Sequence, residues 1–540
     1  MGKVSILQPN YAECQIDDKP VDSNIISQNK LFHGDIVNDD ISNTSNTSNA
    51  IIKLQSSKRF EFLIGGVIKF KNTYTFEKND LFEFVPINWR YPKFMVKSKI
   101  KQNLVKKKEK VVNYFVVIHF KEWKDKLPRG VIVHSIGSVE DIMNRYEVLL
   151  NYYPTMPITE NKLQLPLSLS NEKVTLNSFQ IDDLQIFTID PDGCQDIDDA
   201  ISYDFQKNRI GIHITDITEF LELFTPNTFF TVYAPHMHIH MFPEEISTHL
   251  ASLIENYKRN VITCWIDLET NKPTFESHNI VVTKNLTYDD AETLIRCDHK
   301  TLTKLWHESK KLGNKFNIEV TDTHKMVEVY MIYYNQAMAN YLAENGCPVI
   351  YRSQVLYERA FYSLKQQLHE QLNLTHYTHA TSPIRRYVDV LIQKLFKNID
   401  EKLDNIDNIN IINEINTFEI NLKRLYRMWD YAKASQTIKN GKHYLVSFVG
   451  IEKDRLEFYC QELKIFISAK VPFTLILLPT VEDTAVTAVT AATAANTTVN
   501  IYGKEYTITN KYNLPLYLVE DTKNTMFHKI LIEFDKNMKN

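Results

Sequence analysis

The densest chemistry in this chain of 540 residues lies at 188–200, TIDPDGCQDIDDA. Asp190, Asp192, Asp196, Asp198 and Asp199 crowd together with no basic residue among them. Neighbouring carboxylates repel and raise one another's pKa, so such crowding stabilises nothing unless a cation is bound. Carboxylate oxygens are hard ligands suited to Mg2+ or Mn2+. Three plainer readings compete. A solvated acidic loop fits poorly with the flanking Ile186, Phe187, Ile189, Ile197 and Ile201. An EF-hand counted from Asp190 needs Asp or Asn and then Gly where Cys194 and Gln195 stand. Turn chemistry of Asp-Pro-Asp-Gly accounts for Asp192 and Gly193 alone.

A second constellation is YTHATSPIRRYVDVLIQKLF at 377–396. Ser382-Pro383 predicts an N-cap and first turn, with Val388, Leu391, Ile392 and Leu395 as the buried face of the helix that follows. Arg385 and Arg386 would then sit in the first turn, where free N–H groups and the positive dipole end already favour anions. Two cations placed against the dipole suit a phosphate. The alternative is an intrahelical Arg385–Asp389 pair worth ~0.3–0.5 kcal/mol. An acidic metal cluster beside an arginine anion site is what phosphodiester hydrolysis requires, because both neutralise charge developing on phosphate. Neither a Walker A loop nor a Gly-x-Ser-x-Gly elbow is present.

The elements that must position these residues follow from patterning. Residues 1–165 read as short β-branched and aromatic runs such as FEFLIGGVIKF and VVNYFVVIHF, the pattern of small barrels. RIGIHITDITEF is a period-2 strand and PEEISTHLASLI a helix opened by Pro243. Residues 302–440 are mostly helical. Ile411, Ile415, Phe418, Leu422, Leu425, Trp429 and Ala432 form the apolar stripe of one long amphipathic helix. The remaining residues return to β character, interrupted by the Thr/Ala-rich Thr484–Thr498; Asn43–Asn49 reads as a surface loop.

Composition bounds the rest. At about 150 residues per domain the length predicts three or four domains. With 62 Lys+Arg against 66 Asp+Glu the net charge is −4, which taken alone speaks against nucleic acid. Eight lysines nevertheless crowd into Lys93–Lys110, either a solvated face or a strand pair tracking a phosphate backbone. Hydrophobic residues at 44% exclude wholesale disorder. Six dispersed cysteines exclude a zinc ribbon or disulfide framework. The absence of a signal-peptide core and of a long apolar run predicts a soluble, cytoplasmic chain with no membrane association.

DPDGCQDIDDA and YTHATSPIRRYVD resemble the signatures of the ribonuclease II (RNB) family of 3′→5′ exoribonucleases. RIGIHITDITEF, MFPEEISTHLASL, NLTYDDAE and HKMVEVYMIYYNQAMANYL match further blocks in order, so the resemblance covers Phe179–Lys439. NKLFHGDIV resembles the end of a first cold-shock domain, and residues 80–137 resemble a second of the eukaryotic exosome-nuclease style. The resemblance implies a multidomain α+β fold. Two N-terminal cold-shock/OB-type β-barrels would occupy 1–60 and 61–165, a mixed α/β RNB domain 166–440, and a C-terminal OB-like β-barrel 441–540.

Residue by residue, it implies that Asp190, Asp196, Asp198 and Asp199 hold Mg2+ or Mn2+, as two ions, while Asp192 stands outside the set. Arg385 and Asp198 would be catalytic, Tyr233 would stack on the 3′-terminal bases, and Tyr288, Glu328 and Arg386 would line the RNA cleft. The implied activity is metal-dependent hydrolysis of single-stranded RNA, processively, to 5′-mononucleotides. A catalytically silent RNA-binding protein and a DNA-directed nuclease are the rivals. Gln393 stands where the family usually has a histidine, and the segment between Tyr288 and Glu328 is short. No PIN-type endonuclease domain precedes the first barrel, so a monomer without stable exosome association is expected. His236, His238 and His240 alternate, which suits a metal face or, more simply, a polar one. His213 reads as structural, and Cys194 lacks an evident base.

Overall fold

The computed structural model describes residues 2–8, 11–38, 52–57, 59–76, 79–99, 112–153, 184–221, 223–355, 359–397, 406–438, 443–452, 455–470, 497–501, 504–508, 513–520 and 530–533. They fall into two units, 1–156 with 234–236 and 423–540, and 157–233 with 237–422.

The first unit is β-rich. Its opening strands form a five-stranded sheet, and the strands of 63–138 close into a barrel. Phe70, Phe82, Phe84, Phe94, Val116 and Ile118 fill that barrel, as inward positions of alternating strands must. The strands after 443 form a second five-stranded sheet and a separate hairpin. Among the described residues only the middle barrel is closed. Of the lysine run, Lys93 reaches Glu83 at 3.4 Å, whereas 100–111 lie outside the described residues, as do Asn43–Asn49 and most of Thr484–Thr498.

The second unit is built on a six-stranded sheet of β1 (Ile186–Asp190), β2 (Asp199–Asp204), β3 (Arg209–Thr215), β4 (Lys258–Asp267), β5 (Pro273–Val281) and β6 (Lys284–Thr287). The order is β5-β4-β3-β2-β1-β6, antiparallel except for the β1–β6 pair. In β3, Ile210, Ile212 and Ile214 are fully buried in the main core, which also takes Tyr330, Tyr334 and Met338. The alternate positions face the other way. His213 bonds Ser202 Oγ and Thr263 Oγ1, both at 2.8 Å, and burial pushes its pKa down to about 3, so it is a neutral structural histidine. Gly211 lies beside it because a Cβ would meet Ser202 Oγ at 2.6 Å.

Helices α1 (Tyr288–Arg296), α2 (Lys300–Lys315), α3 (Thr323–Glu344), α4 (Tyr387–Lys397) and α5 (Ile406–Thr437) complete the description. The predicted stripe on α5 is buried from Ile415 through Phe418, Leu422, Leu425, Trp429 and Ala432. Residues 345–386, inside the stretch read as mostly helical, hold two short strands and turns. The helix expected after Pro243 is present but short, spanning 244–250 with a π-helix at Ile246–Leu250. One expectation is corrected. Ser382-Pro383 does not open α4, which begins at Tyr387; Asp389 of α4 itself takes the Ser382 N–H and the distant Asp198 takes that of Ile384, which holds these residues in a turn. Among the described residues no helix is long and apolar enough to cross a membrane.

Candidate active site

The acidic loop joins β1 to β2, so Asp190 ends one strand and Asp199 opens the next. Three bonds pin the loop between them. Ile197 N donates to Ser252 Oγ, Ser252 Oγ to Gln195 O, and Leu253 N to Ile197 O. Gly193 has φ +77 and Cys194 N returns to Pro191 O at 3.1 Å, which leaves Asp192 exposed on a turn, as its turn chemistry predicts.

Asp190, Asp196, Asp198 and Asp199 line one cavity of about 570 Å³ together with Arg385, Arg386, Tyr233, Tyr288 and Glu328. Every site residue expected from the sequence therefore borders the same space. Asp198, 3% exposed, is held from the 382–386 turn. Its Oδ1 accepts Ile384 N at 2.8 Å and its Oδ2 accepts Arg385 Nε at 3.0 Å. Burial nevertheless pushes its pKa up to about 7, with Arg385 and the Ile384 N–H opposing and Asp196 adding. Burial raises Asp190 to about 6 against a Thr188 hydrogen bond and Arg385. Asp199 is held well above the carboxylate range by burial and then by Asp190 and Asp198.

The donor chemistry of this loop fits a hard divalent cation. Asp190 Oδ2 is buried with no hydrogen-bond partner, and three carboxyls carry raised pKa values that a cation would lower. As placed, the carboxylates turn to separate partners. Asp198 goes to Arg385, and Asp196 accepts the Tyr233 hydroxyl. Among the described residues no three His, Cys, Asp or Glu side chains already form a ligand set.

The adjacent arginines differ. Arg385, with its side chain 46% exposed, also donates Nη2 to Ser382 Oγ at 2.9 Å and keeps a face on the cavity. Arg386 is 18% exposed and bidentate to the fully buried Asp389, at 2.5 and 2.8 Å. The Arg385–Asp389 pair expected as an alternative is replaced by an Arg386–Asp389 pair at i,i+3, while Arg385 pairs with Asp198.

The exposed Tyr233 sits on a three-residue strand with its ring edge-on to His238 at 5.1 Å. Tyr288 opens α1, and burial followed by the charges of Asp199 and Asp190 pushes its pKa up to about 12. Glu328 pairs with Lys325 at 2.6 Å. Gln393 is fully bonded, from Ile217 N at 3.1 Å and to Thr215 O at 2.7 Å. The alternating histidines do not present one polar face, since His238 is exposed and His240 buried.

Sequence reading missed His324 and His379, which also line the cavity. The buried Tyr362 hydroxyl bonds His379 Nδ1 at 2.7 Å. His379 lies within the quoted 377–396 motif and His324 opens the quoted block HKMVEVYMIYYNQAMANYL, but neither was singled out for the site.

The RNB domain matches residues 180–312 and 354–402, and the Dis3-like cold-shock domain 2 matches 81–153. Glu328 and His324 fall between the two RNB segments. Ribonuclease R of Chlamydia pneumoniae is 24% identical over 40% of this chain and 47% of its own length. The chain spans less than half the length of the first curated relatives it matches. Mycoplasma genitalium RNase R in complex with ribose-methylated single-stranded RNA has the same fold, with a TM-score of 0.70 and 16% identity over 99% of this chain and 100% of that one. Yeast Ssd1, described as a pseudonuclease, aligns with a TM-score of 0.55 and 12% identity over 87% of this chain and 78% of its own.

Proposed function

We propose that this RNB-domain chain is a metal-dependent, hydrolytic 3′→5′ exoribonuclease that degrades single-stranded RNA processively to 5′-mononucleotides. The observation that carries the reading is the cluster of four aspartates lining one cavity with a half-exposed Arg385 beside them. Asp190, Asp196, Asp198 and Asp199 would hold the cations, taken as two Mg2+ or Mn2+ ions. When bound, these supply Lewis acidity to the scissile phosphate and the attacking water.

The chain's own residues do the rest. Arg385 can shift hydrogen-bond donors from Asp198 to a phosphate oxygen, where charge grows in the transition state. Ile384 N–H keeps Asp198 in place as that exchange occurs. Tyr288, protonated well past neutrality, offers its hydroxyl as a donor beside the carboxylates. Tyr233 presents an exposed ring for a 3′-terminal base, a contact that tolerates any sequence. Glu328, which also lines the cavity, is an acceptor for a ribose hydroxyl, which would favour RNA over DNA.

The likeness to a pseudonuclease fold favours one second reading, RNA binding without cleavage. Purified protein incubated with end-labelled single-stranded RNA and DNA, in Mg2+, in EDTA and beside Asp198→Asn, separates the two. Progressive loss of RNA from the 3′ end in Mg2+ alone supports the exonuclease. RNA that is bound but left intact supports the silent reading, and equal degradation by the Asn variant overturns the mechanism.

A further inference from the structure

The start of α3 gathers the missed residue and two expected ones. Asp322 caps the helix, accepting Lys325 N at 2.9 Å. Thr323 Oγ1 donates to the Tyr288 carbonyl at 3.1 Å. His324 lays its ring on that of Tyr288 with centroids 3.6 Å apart and planes 11° apart. Lys325 then pairs with Glu328 one turn on. One helical turn therefore fixes the backbone of Tyr288 through Thr323 and its ring through His324.

The stack lies at the cavity wall and not in the core. His324 is exposed and Tyr288 half-buried, and both border the cavity that holds the aspartates. A parallel contact at van der Waals distance covers one face of the tyrosine ring and restricts its torsions. The end of the ring so fixed lies within reach of the Asp199 and Asp190 charges. A freely rotating Tyr288 would spread its hydroxyl over several rotamers, whereas the stacked ring commits it to one.

We propose that His324 is a positioning residue, which stacks on Tyr288 and so aims that tyrosine's hydroxyl at the carboxylate loop for the cleavage step. It rests on the exoribonuclease reading. Its effect passes through Tyr288, so the two residues act as one unit and their losses do not add.

The test is a double-mutant cycle of His324→Ala and Tyr288→Phe, with His324→Phe as the conservative variant, read by single-turnover cleavage of single-stranded RNA in Mg2+ and by RNA affinity in EDTA. His324→Ala is expected to slow cleavage about tenfold or more with affinity within about threefold, His324→Phe to recover most of the rate, and the double variant to be no slower than Tyr288→Phe. Multiplicative losses, a Phe variant as slow as Ala, or a loss confined to affinity would overturn the proposal. Fluorotyrosine placed at 288 supplies a readout independent of activity. Its 19F line should narrow in His324→Ala as the ring is freed, and an unchanged line counts against the stack. If the wild-type protein leaves RNA intact, the exoribonuclease reading falls, and the 19F line alone then decides whether His324 holds Tyr288.

Discussion

Asp198 is the residue on which stability and chemistry conflict. Its carboxyl is buried, and its pKa is raised from 3.8 to about 7 although Arg385 stands against it. A carboxylate with a raised folded pKa makes the folded state bind more protons than the unfolded chain between those two values. Stability then falls as pH rises through that window. From pH 5 to pH 8 this group alone costs roughly 2–3 kcal/mol. Asp198→Asn removes the titration and keeps an oxygen for Ile384 N–H. The weakened contact with Arg385 costs ~1–3 kcal/mol, largely independent of pH, and so drops out of a comparison between pH values. In EDTA the variant should therefore gain on the wild type by about 2–3 kcal/mol between pH 5 and pH 8. Urea denaturation at both pH values, followed by pulse labelling of the β3 and β4 amides, reads this in the relevant sheet. A difference that is constant with pH, or one that grows in favour of the wild type, would refute the burial argument. Saturating Mn2+ at pH 8 should stabilise the wild type far more than the variant.

Arg385→Ala should slow single-turnover cleavage by ~10²–10³ while RNA affinity changes only a few-fold; equal losses in both would remove its transition-state role. Arg386→Ala strands the fully buried Asp389 and should destabilise the protein by ~3–5 kcal/mol in thermal or urea unfolding, and a loss below about 1 kcal/mol would show the pair to be dispensable. Tyr233→Ala should weaken binding of single-stranded RNA by ~1–3 kcal/mol in a filter or anisotropy assay, while Tyr233→Phe, which keeps the ring, should bind near the wild-type level.

What was legible in the sequence had a local cause. The acidic loop could be read because five like charges in one run have few explanations, and the stripe of α5 because a 3.6-residue period over that length admits little else. The start of α4 was misplaced because Ser382-Pro383 is a local signature, whereas Asp198 reaches in from the β1–β2 loop to take the Ile384 N–H. His324 opens a quoted block, but nothing local ties it to the site, because its partner Tyr288 lies thirty-six positions earlier in the chain.

Arg385 and Arg386 show why a charge total says little about a surface. Each faces a carboxylate that is almost wholly buried, Asp198 or Asp389. Asp389 closes its pair, since both oxygens meet Arg386 and one also accepts Ser382 N at 2.7 Å. Asp198 leaves its pair open, with a single guanidinium contact and an arginine nearly half exposed to the cavity. The first pair must be broken, leaving a buried charge, before its arginine can meet a phosphate; the second exchanges one acceptor for another. A net charge of −4 sums these two arginines as equals. Only its carboxylate partner distinguishes the arginine left open to the cavity from the one held fast in its pair.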